Sequence, residues 1–133
     1  MIKKYKNLEY LAFLYELEER QWWCGYVKLP DNHPYKKLIH KESLYGIELE
    51  VGYDDMDIEC HGGLTFSQEV NEINKDNRNP SFTKGSWIAS FTKGSWIGWD
   101  YNHYGDTYEN WTKEQIEEEC KNVIDQLIKT KKQ

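Results

Sequence analysis

Histidine, aspartate and cysteine side chains lie in two short segments of this sequence. Cys60 and His61 precede a Gly-Gly pair, and Asp100, His103 and Asp106 fall within the segment WDYNHYGD. Imidazole and carboxylate groups suit zinc or manganese, and a site that keeps one position open for water can support hydrolysis. If the two segments are neighbours in the fold, His61, Asp100, His103 and Asp106 could form a metal-dependent hydrolase site.

The spacing of these residues matches no complete catalytic motif. The sequence contains no HExxH, CxxC pair, nucleophile elbow, P-loop or dinucleotide fingerprint. Asp100, Asn102 and Gly105 faintly resemble a calcium loop, but its twelfth position is Trp111 instead of glutamate. The favoured interpretation is structural: aspartates accept backbone N–H bonds, histidines find partners within the fold, and glycines provide turns. We therefore assign no catalytic residue, no cofactor and no metal.

A binding pocket is the third interpretation of the same segments. Aromatic faces stack on bases, and Gly-Gly backbone N–H groups can approach a phosphate. An aromatic-rich surface can equally be a hot spot for a protein partner, or simply a core built from rings. The hypothetical ligand-binding set is His61, Gly62, Gly63, Trp96, Trp99, Asp100, His103 and Asp106.

Length and composition predict one folded domain spanning residues 1–133. The chain has 133 residues, of which 15% are aromatic, and this content disfavours wholesale disorder. Three cysteines, Cys24, Cys60 and Cys120, make neither a disulfide framework nor a zinc site, and we expect buried thiols. The sequence has no long apolar run and no signal peptide, so we expect a cytoplasmic protein without membrane contact.

The net charge of −6 is concentrated in one part of the chain. Residues 42–76 contain ten acidic residues and one basic residue, whereas residues 1–41 contain five acidic and eight basic. An acidic patch repels nucleic-acid phosphates and attracts basic protein surfaces. A host protein with a basic surface is therefore one expected partner and a small nucleotide is the other, while duplex nucleic acid is disfavoured. The oligomeric state stays open.

The predicted elements give an α+β fold: an N-terminal helix, a mainly antiparallel sheet of four to six strands, and a C-terminal helix packed on one face of the sheet. Apolar spacing predicts an N-terminal helix over residues 6–19, and a capping box from Thr112 to Gln115 begins a C-terminal amphipathic helix of about five turns. Strands are predicted over residues 21–29, 44–53 and 56–61, and residues 64–66 are expected to continue the last of these beyond a bend or bulge at Gly62-Gly63. Residues 30–34 and 71–80 are expected to be loops.

Residues 81–89 and 90–98 are a tandem duplication, SFTKGSWIA followed by SFTKGSWIG. Because nine is odd, one straight strand would turn the second copy's side chains to the opposite face. Either the Lys-Gly-Ser elements are turns of a hairpin, or one copy is the native strand and the other is a tolerated insertion. A non-functional slippage duplication is the favoured interpretation.

Two motifs resemble a family of small, largely uncharacterised proteins of phages and bacterial mobile elements. These are HGGLTFS at residues 61–67 and WIGWDYNHYGD at residues 96–106, together with CGYV at 24–27 and the turn ending at Pro34. The chain departs from the family pattern at Trp99, where Phe is expected, and at Tyr101-Asn102, where Cys-Ala is expected. The resemblance implies a phage or mobile-element origin, and no established activity comes with it.

With the acidic patch and the small size, this resemblance leads to our functional hypothesis. We expect a non-enzymatic accessory binding protein, and one form of this function is inhibition of a host defence system by action on a host protein or its nucleotide signal. The alternative is the small metal-dependent hydrolase that uses His61, Asp100, His103 and Asp106.

Overall fold

A computed structural model describes residues 2–38, 56–70 and 92–131. The predicted strand at 44–53, the loop at 71–80 and the first repeat copy lie outside these residues. The described part has one antiparallel sheet and one long helix. Its elements are β1 (Lys3–Tyr5), β2 (Leu8–Leu17), β3 (Arg20–Lys28), β4 (Phe66–Val70), β5 (Gly94–Asp100) and α1 (Lys113–Lys131). The α+β class is therefore confirmed, with a five-stranded sheet in the order β1-β2-β3-β5-β4.

The predicted N-terminal helix is wrong, because residues 3–17 form a β-hairpin. Its two-residue turn, Lys6 and Asn7, has positive φ at both positions, which matches the twist of a tight hairpin. The apolar run in β2 is buried on both sides of the sheet: Tyr10 and Ala12 pack on one face and Leu11 on the other. Such a two-sided run lacks strict alternation, so its pattern also fits a helix.

The C-terminal helix is confirmed together with its capping box. The Gln115 amide donates to Thr112 Oγ1 at 3.1 Å, and the Thr112 amide donates to Gln115 Oε1 at 2.8 Å. This reciprocal pair satisfies two N–H groups that would otherwise lack partners at the start of α1. The apolar stripe named by the sequence is fully buried against the sheet: Ile116, Cys120, Val123, Ile124 and Leu127.

The sequence predicts a strand over residues 56–61, but the segment pairs with none of the strands in the described part of the chain. The side chains of other elements hold it instead: the Gln126 amide group bonds both the N–H and the carbonyl of Glu59, each at 2.7 Å. Tyr35 accepts a hydrogen bond from the Asp57 amide at 2.9 Å. The segment therefore lies along α1 and carries His61 to one end of the sheet.

The second copy of the repeat supplies β5, whose residues Trp96 and Ile97 are completely buried. Gly94 and Ser95 belong to this strand, so the Lys-Gly-Ser element of the second copy is not a hairpin turn. The hairpin solution is therefore wrong for that copy.

The sheet has two apolar faces. Val27, Ile97 and Trp99 face α1, whereas Cys24, Tyr26 and Trp96 lie on the opposite face. Asp100 ends β5 opposite Cys24, and the loop that follows carries His103 and Asp106.

Candidate functional site

His61 lies at the end of the segment clasped by α1. Its backbone N–H donates to Glu119 Oε2 at 3.0 Å, which fixes the residue to the first half of the helix. Its ring stacks on Tyr101, with centroids 4.5 Å apart and planes 10° apart, and meets Trp111 edge-on at 4.9 Å. The imidazole is therefore held between two aromatic side chains and is still 28% exposed.

Asp106 is the carboxylate that fixes this imidazole. Its Oδ2 atom lies 2.8 Å from His61 Nε2 and accepts the His103 amide at 3.1 Å, while Oδ1 accepts Trp111 Nε1 at 3.1 Å. Burial opposes ionisation of Asp106, but the hydrogen bonds from His61, His103 and Trp111 outweigh it and hold its pKa below the usual value. The carboxylate thus closes the loop 101–111 onto His61.

Asp100 and His103 form a second pair beside the first. His103 Nε2 lies 3.3 Å from Asp100 Oδ1, which also accepts the Asn102 amide at 3.1 Å. Thr65 Oγ1 donates to Asp100 Oδ2 at 3.2 Å and ties the pair to the segment that directly precedes β4. The two histidine rings meet edge-on at 5.8 Å, so His61 and His103 do converge.

Gly62 makes this convergence possible. A Cβ atom at Gly62 would lie 2.2 Å from His103 Nε2, and the residue has φ +71°. Gly63 also has positive φ, +82°, but it faces open space, and its N–H already donates to the Cys60 carbonyl at 3.0 Å. Only Gly62 is therefore needed for the approach of His103.

The two tryptophans of the hypothetical set have separate places in the fold. Trp99 supports the site through Tyr101. Its Nε1 donates a hydrogen bond to Tyr101 Oη at 3.1 Å, and the Tyr101 ring stacks on the His61 ring. Trp96 packs on the opposite face of the sheet, where its Nε1 donates to the Thr92 carbonyl at 2.8 Å. The structure thus brings together His61, Gly62, Trp99, Asp100, His103 and Asp106, whereas Trp96 lies apart from them.

An open cleft of about 480 Å³ lies between His61 and α1. Tyr101 and Trp111 form its aromatic side, and Glu59, Glu118 and Glu119 give it carboxylates. A second groove of about 340 Å³ continues along α1 and shares Glu59 and Asn122 with the first. We call the two together the helix cleft; Asp57 and Lys129 line its far part.

The chemistry that these groups could perform is limited by their mutual hydrogen bonds. Within the described ranges, no three His, Cys, Asp or Glu side chains are grouped so that they could hold a metal ion.

Burial first, and then the charge of Glu119, raises the pKa of the Cys60 thiol to about 12, so it is protonated at neutral pH. Burial likewise raises the pKa of Cys24 to about 12. All three cysteines are free thiols.

Sequence reasoning missed the polar side of the helix cleft. Gln115, Glu118, Glu119 and Asn122 recur at helical spacing, so a second stripe beside the apolar one was visible in the sequence. The sequence did not indicate which segment this polar stripe faces, because the two are distant in the chain. Thr65, which holds Asp100, was likewise not singled out.

No family model, curated protein or solved structure matches the chain. No helix in the described part of the chain is long and apolar enough to cross a membrane.

Proposed function

We propose that the protein acts by binding a protein partner with a basic surface, and that the helix cleft and the adjoining loop form the docking surface. The observation that carries this proposal is Tyr104, a fully exposed ring at the tip of the loop 101–106. Tyr108 on the next turn is also exposed, at 39%. Exposed tyrosines on a braced loop are characteristic of protein-binding hot spots.

The charge of the cleft favours a basic partner. Asp57, Glu59 and Glu118 line it with carboxylates, and Glu119 uses its carboxylate to accept the His61 and Asn122 N–H groups. Lys121 Nζ lies 3.2 Å from Glu118 Oε2 and offsets part of this negative charge, and Lys129 lies at the far end of the cleft. The excess of carboxylates attracts lysine and arginine side chains and repels phosphates.

The hydrogen bonding of the site supports binding over catalysis. Asp106 accepts three hydrogen bonds, and Asp100 accepts two, from Thr65 and Asn102, while its Oδ1 lies 3.3 Å from His103 Nε2. Each carboxylate therefore braces a loop in addition to contacting a histidine. Such a network gives the docking loop a defined shape, which lowers the entropy cost of binding.

The same geometry makes a nucleotide the less favoured ligand. The backbone N–H groups of Gly62 and Gly63 are the two donors expected to bind a phosphate. The Gly63 N–H already donates to the Cys60 carbonyl. The resemblance to phage and mobile-element proteins adds the remainder of the proposal: that the chain comes from such an element, works in the host cytoplasm and inhibits a component of host defence.

The test is affinity capture from host lysate with variants matched for charge. Glu59→Gln/Glu118→Gln removes two cleft carboxylates, and Glu16→Gln/Asp31→Asn removes two exposed carboxylates that do not line it. Tyr104→Ala removes the exposed ring, and Tyr104→Phe retains it. We expect one basic partner to be captured by wild type, by the Glu16/Asp31 variant and by Tyr104→Phe. The amount of this partner that is captured should fall as the salt concentration rises. Glu59→Gln/Glu118→Gln and Tyr104→Ala should not capture it.

Three results would overturn the proposal. A nucleotide that raises the melting temperature of wild type but not of His103→Ala would identify a nucleotide-binding protein instead. Stoichiometric zinc or manganese in purified protein, lost in His103→Ala, would favour the hydrolase alternative. Equal capture by the cleft variants and wild type would place the docking surface elsewhere.

A further inference from the structure

A second pocket lies on the sheet face opposite α1 and shares no lining residue with the helix cleft. It has a volume of about 280 Å³ and is lined mainly by rings, with one carboxylate: Tyr15, Trp22, Cys24, Tyr26, Thr65, Phe66, Trp99 and Asp100. We call it the ring pocket. Its lining comes from β2, β3, β4 and the end of β5, so the sheet itself fixes its shape.

The strand register explains why the rings surround a space. Tyr15 and Trp22 are cross-strand partners on β2 and β3, with centroids 4.8 Å apart and planes tilted by 34°. Tyr26 and Phe66 meet edge-on across β5, at 5.5 Å and 83°, because both pair with Gly98, which has no side chain. The two ring pairs therefore differ in their mutual ring angles within the lining of the pocket.

Asp100 gives this pocket its charge. It pairs directly with Cys24 in the strand register, and its negative charge reaches both Cys24 and Tyr26. Burial is the main cause of the raised pKa of these two groups, and the charge of Asp100 adds to it. A carboxylate beside aromatic faces favours a cation in the same space, because ring faces are themselves electron-rich.

The hydrogen bonds of Asp100 indicate which kind of cation fits. Its oxygens accept hydrogen bonds from Thr65 Oγ1 and the Asn102 amide, and Oδ1 also lies 3.3 Å from His103 Nε2, so the carboxylate contributes negative charge more than free acceptor positions. A lysine or guanidinium group would bring N–H donors that need acceptors, whereas a quaternary ammonium group has none. Rings set at several angles suit a rounded trimethylammonium group better than a flat guanidinium.

The chain already places one cation against one of these rings, that of Trp22. The Arg20 guanidinium lies 5.3 Å from the Trp22 ring centroid, and its Nη2 donates to Asn102 Oδ1 at 3.1 Å. From the ring geometry, the charge of Asp100 and its occupied acceptor positions, we infer that the ring pocket binds a methylated ammonium group.

Isothermal titration with choline and tetramethylammonium chloride, at constant ionic strength, tests this inference. The matched ligand control is 3,3-dimethyl-1-butanol, which has the shape of choline without its charge. We expect the cations to bind in the millimolar range and the neutral alcohol to bind about tenfold more weakly or not at all. Equal binding of choline and the alcohol, or no binding of either cation, would overturn the inference.

Variants locate the binding. Trp22→Leu and Asp100→Asn should each weaken choline binding about five- to tenfold, while Asp31→Asn, on a distant turn, should leave it unchanged. Tyr15→Leu is the second ring variant in case Trp22→Leu fails to fold, and melting temperatures check each protein. Unchanged choline affinity in folded Tyr15→Leu and Asp100→Asn would contradict the assignment.

A short peptide with trimethyllysine, compared with its unmodified form, identifies the source of the cation. Tighter binding of the modified peptide than of choline assigns the cation to a protein side chain. Weaker or equal binding assigns it to a free small molecule. Either result keeps the ring pocket as the site.

Discussion

The Nε2 atom of His61 lies 2.8 Å from Oδ2 of Asp106, and this contact joins two loops that are distant in the sequence. One loop is clasped to α1 through Glu59 and His61 itself, and the other follows β5. The pair therefore fixes one wall of the helix cleft, so its loss should affect both stability and the shape of the docking loop.

Asp106→Asn should lower the free energy of unfolding by roughly 2 kcal/mol at pH 7, because an amide cannot accept all three donors as a carboxylate does. The folded-state pKa of Asp106 is depressed, so its ionised form contributes stability above the unfolded value of about 3.9. That contribution is lost as the pH falls through the lowered folded pKa. Urea unfolding at pH 7 and pH 3 should therefore show a smaller difference between variant and wild type at pH 3, whereas a constant difference would contradict this account. Asp31→Asn is the control.

Gly62→Ala and Gly63→Ala separate backbone strain from the packing of His103. Both residues have similar positive φ, so each alanine should cost roughly 1 kcal/mol in conformational energy. Only at Gly62 does the new Cβ meet the His103 ring, so Gly62→Ala should be clearly the more destabilising variant. Thermal unfolding of the pair measures the difference. Equal melting temperatures would show that His103 moves away without cost.

Deleting either copy of the repeat gives chains that differ at one position only. Removal of residues 81–89 leaves Gly98 before Trp99, whereas removal of residues 90–98 leaves Ala89 there. A Cβ at Gly98 would lie 2.4 Å from Tyr26 Cδ1 and 2.9 Å from the Gly25 carbonyl oxygen. We therefore expect the first deletion to preserve the fold and the second to lose several degrees of melting temperature. Failure of the first deletion to fold would show that both copies are structural.

Ser67 and Ser95 are buried, and neither hydroxyl has a hydrogen-bond partner among the residues that the structure describes. A buried unsatisfied hydroxyl costs about 1–3 kcal/mol, part of which alanine recovers after the loss of packing. Ser67→Ala and Ser95→Ala should therefore each raise the free energy of unfolding, by roughly 0.5–1 kcal/mol. Thr65→Val, which removes a hydroxyl that does donate, to Asp100, should act in the opposite direction. Destabilisation by Ser67→Ala in denaturant titrations would point to a buried water bound to its hydroxyl.

The elements that the sequence predicted well are those with strong local signals. Thr112 and Gln115 lie three residues apart and form reciprocal hydrogen bonds, so the start of α1 is set by residues that are close in the sequence. Residues 20–28 form β3, as their aromatic and β-branched content predicted for 21–29. The N-terminal hairpin was mistaken for a helix, because an apolar run buried on two faces has no single period.

The amino-acid sequence by itself determined the caps, the aromatic core material and the residue types of the candidate site. Only the tertiary structure decided that His61 meets His103 and Asp106, and that Trp96 lies on the opposite face of the sheet. It also decided that the second repeat copy forms β5, since eight of nine positions are identical and local preference cannot choose between the copies. These outcomes have the same physical reason. They depend on the order of the strands and on whether a Cβ atom fits against the neighbouring strand, and both involve residues that are distant in the sequence.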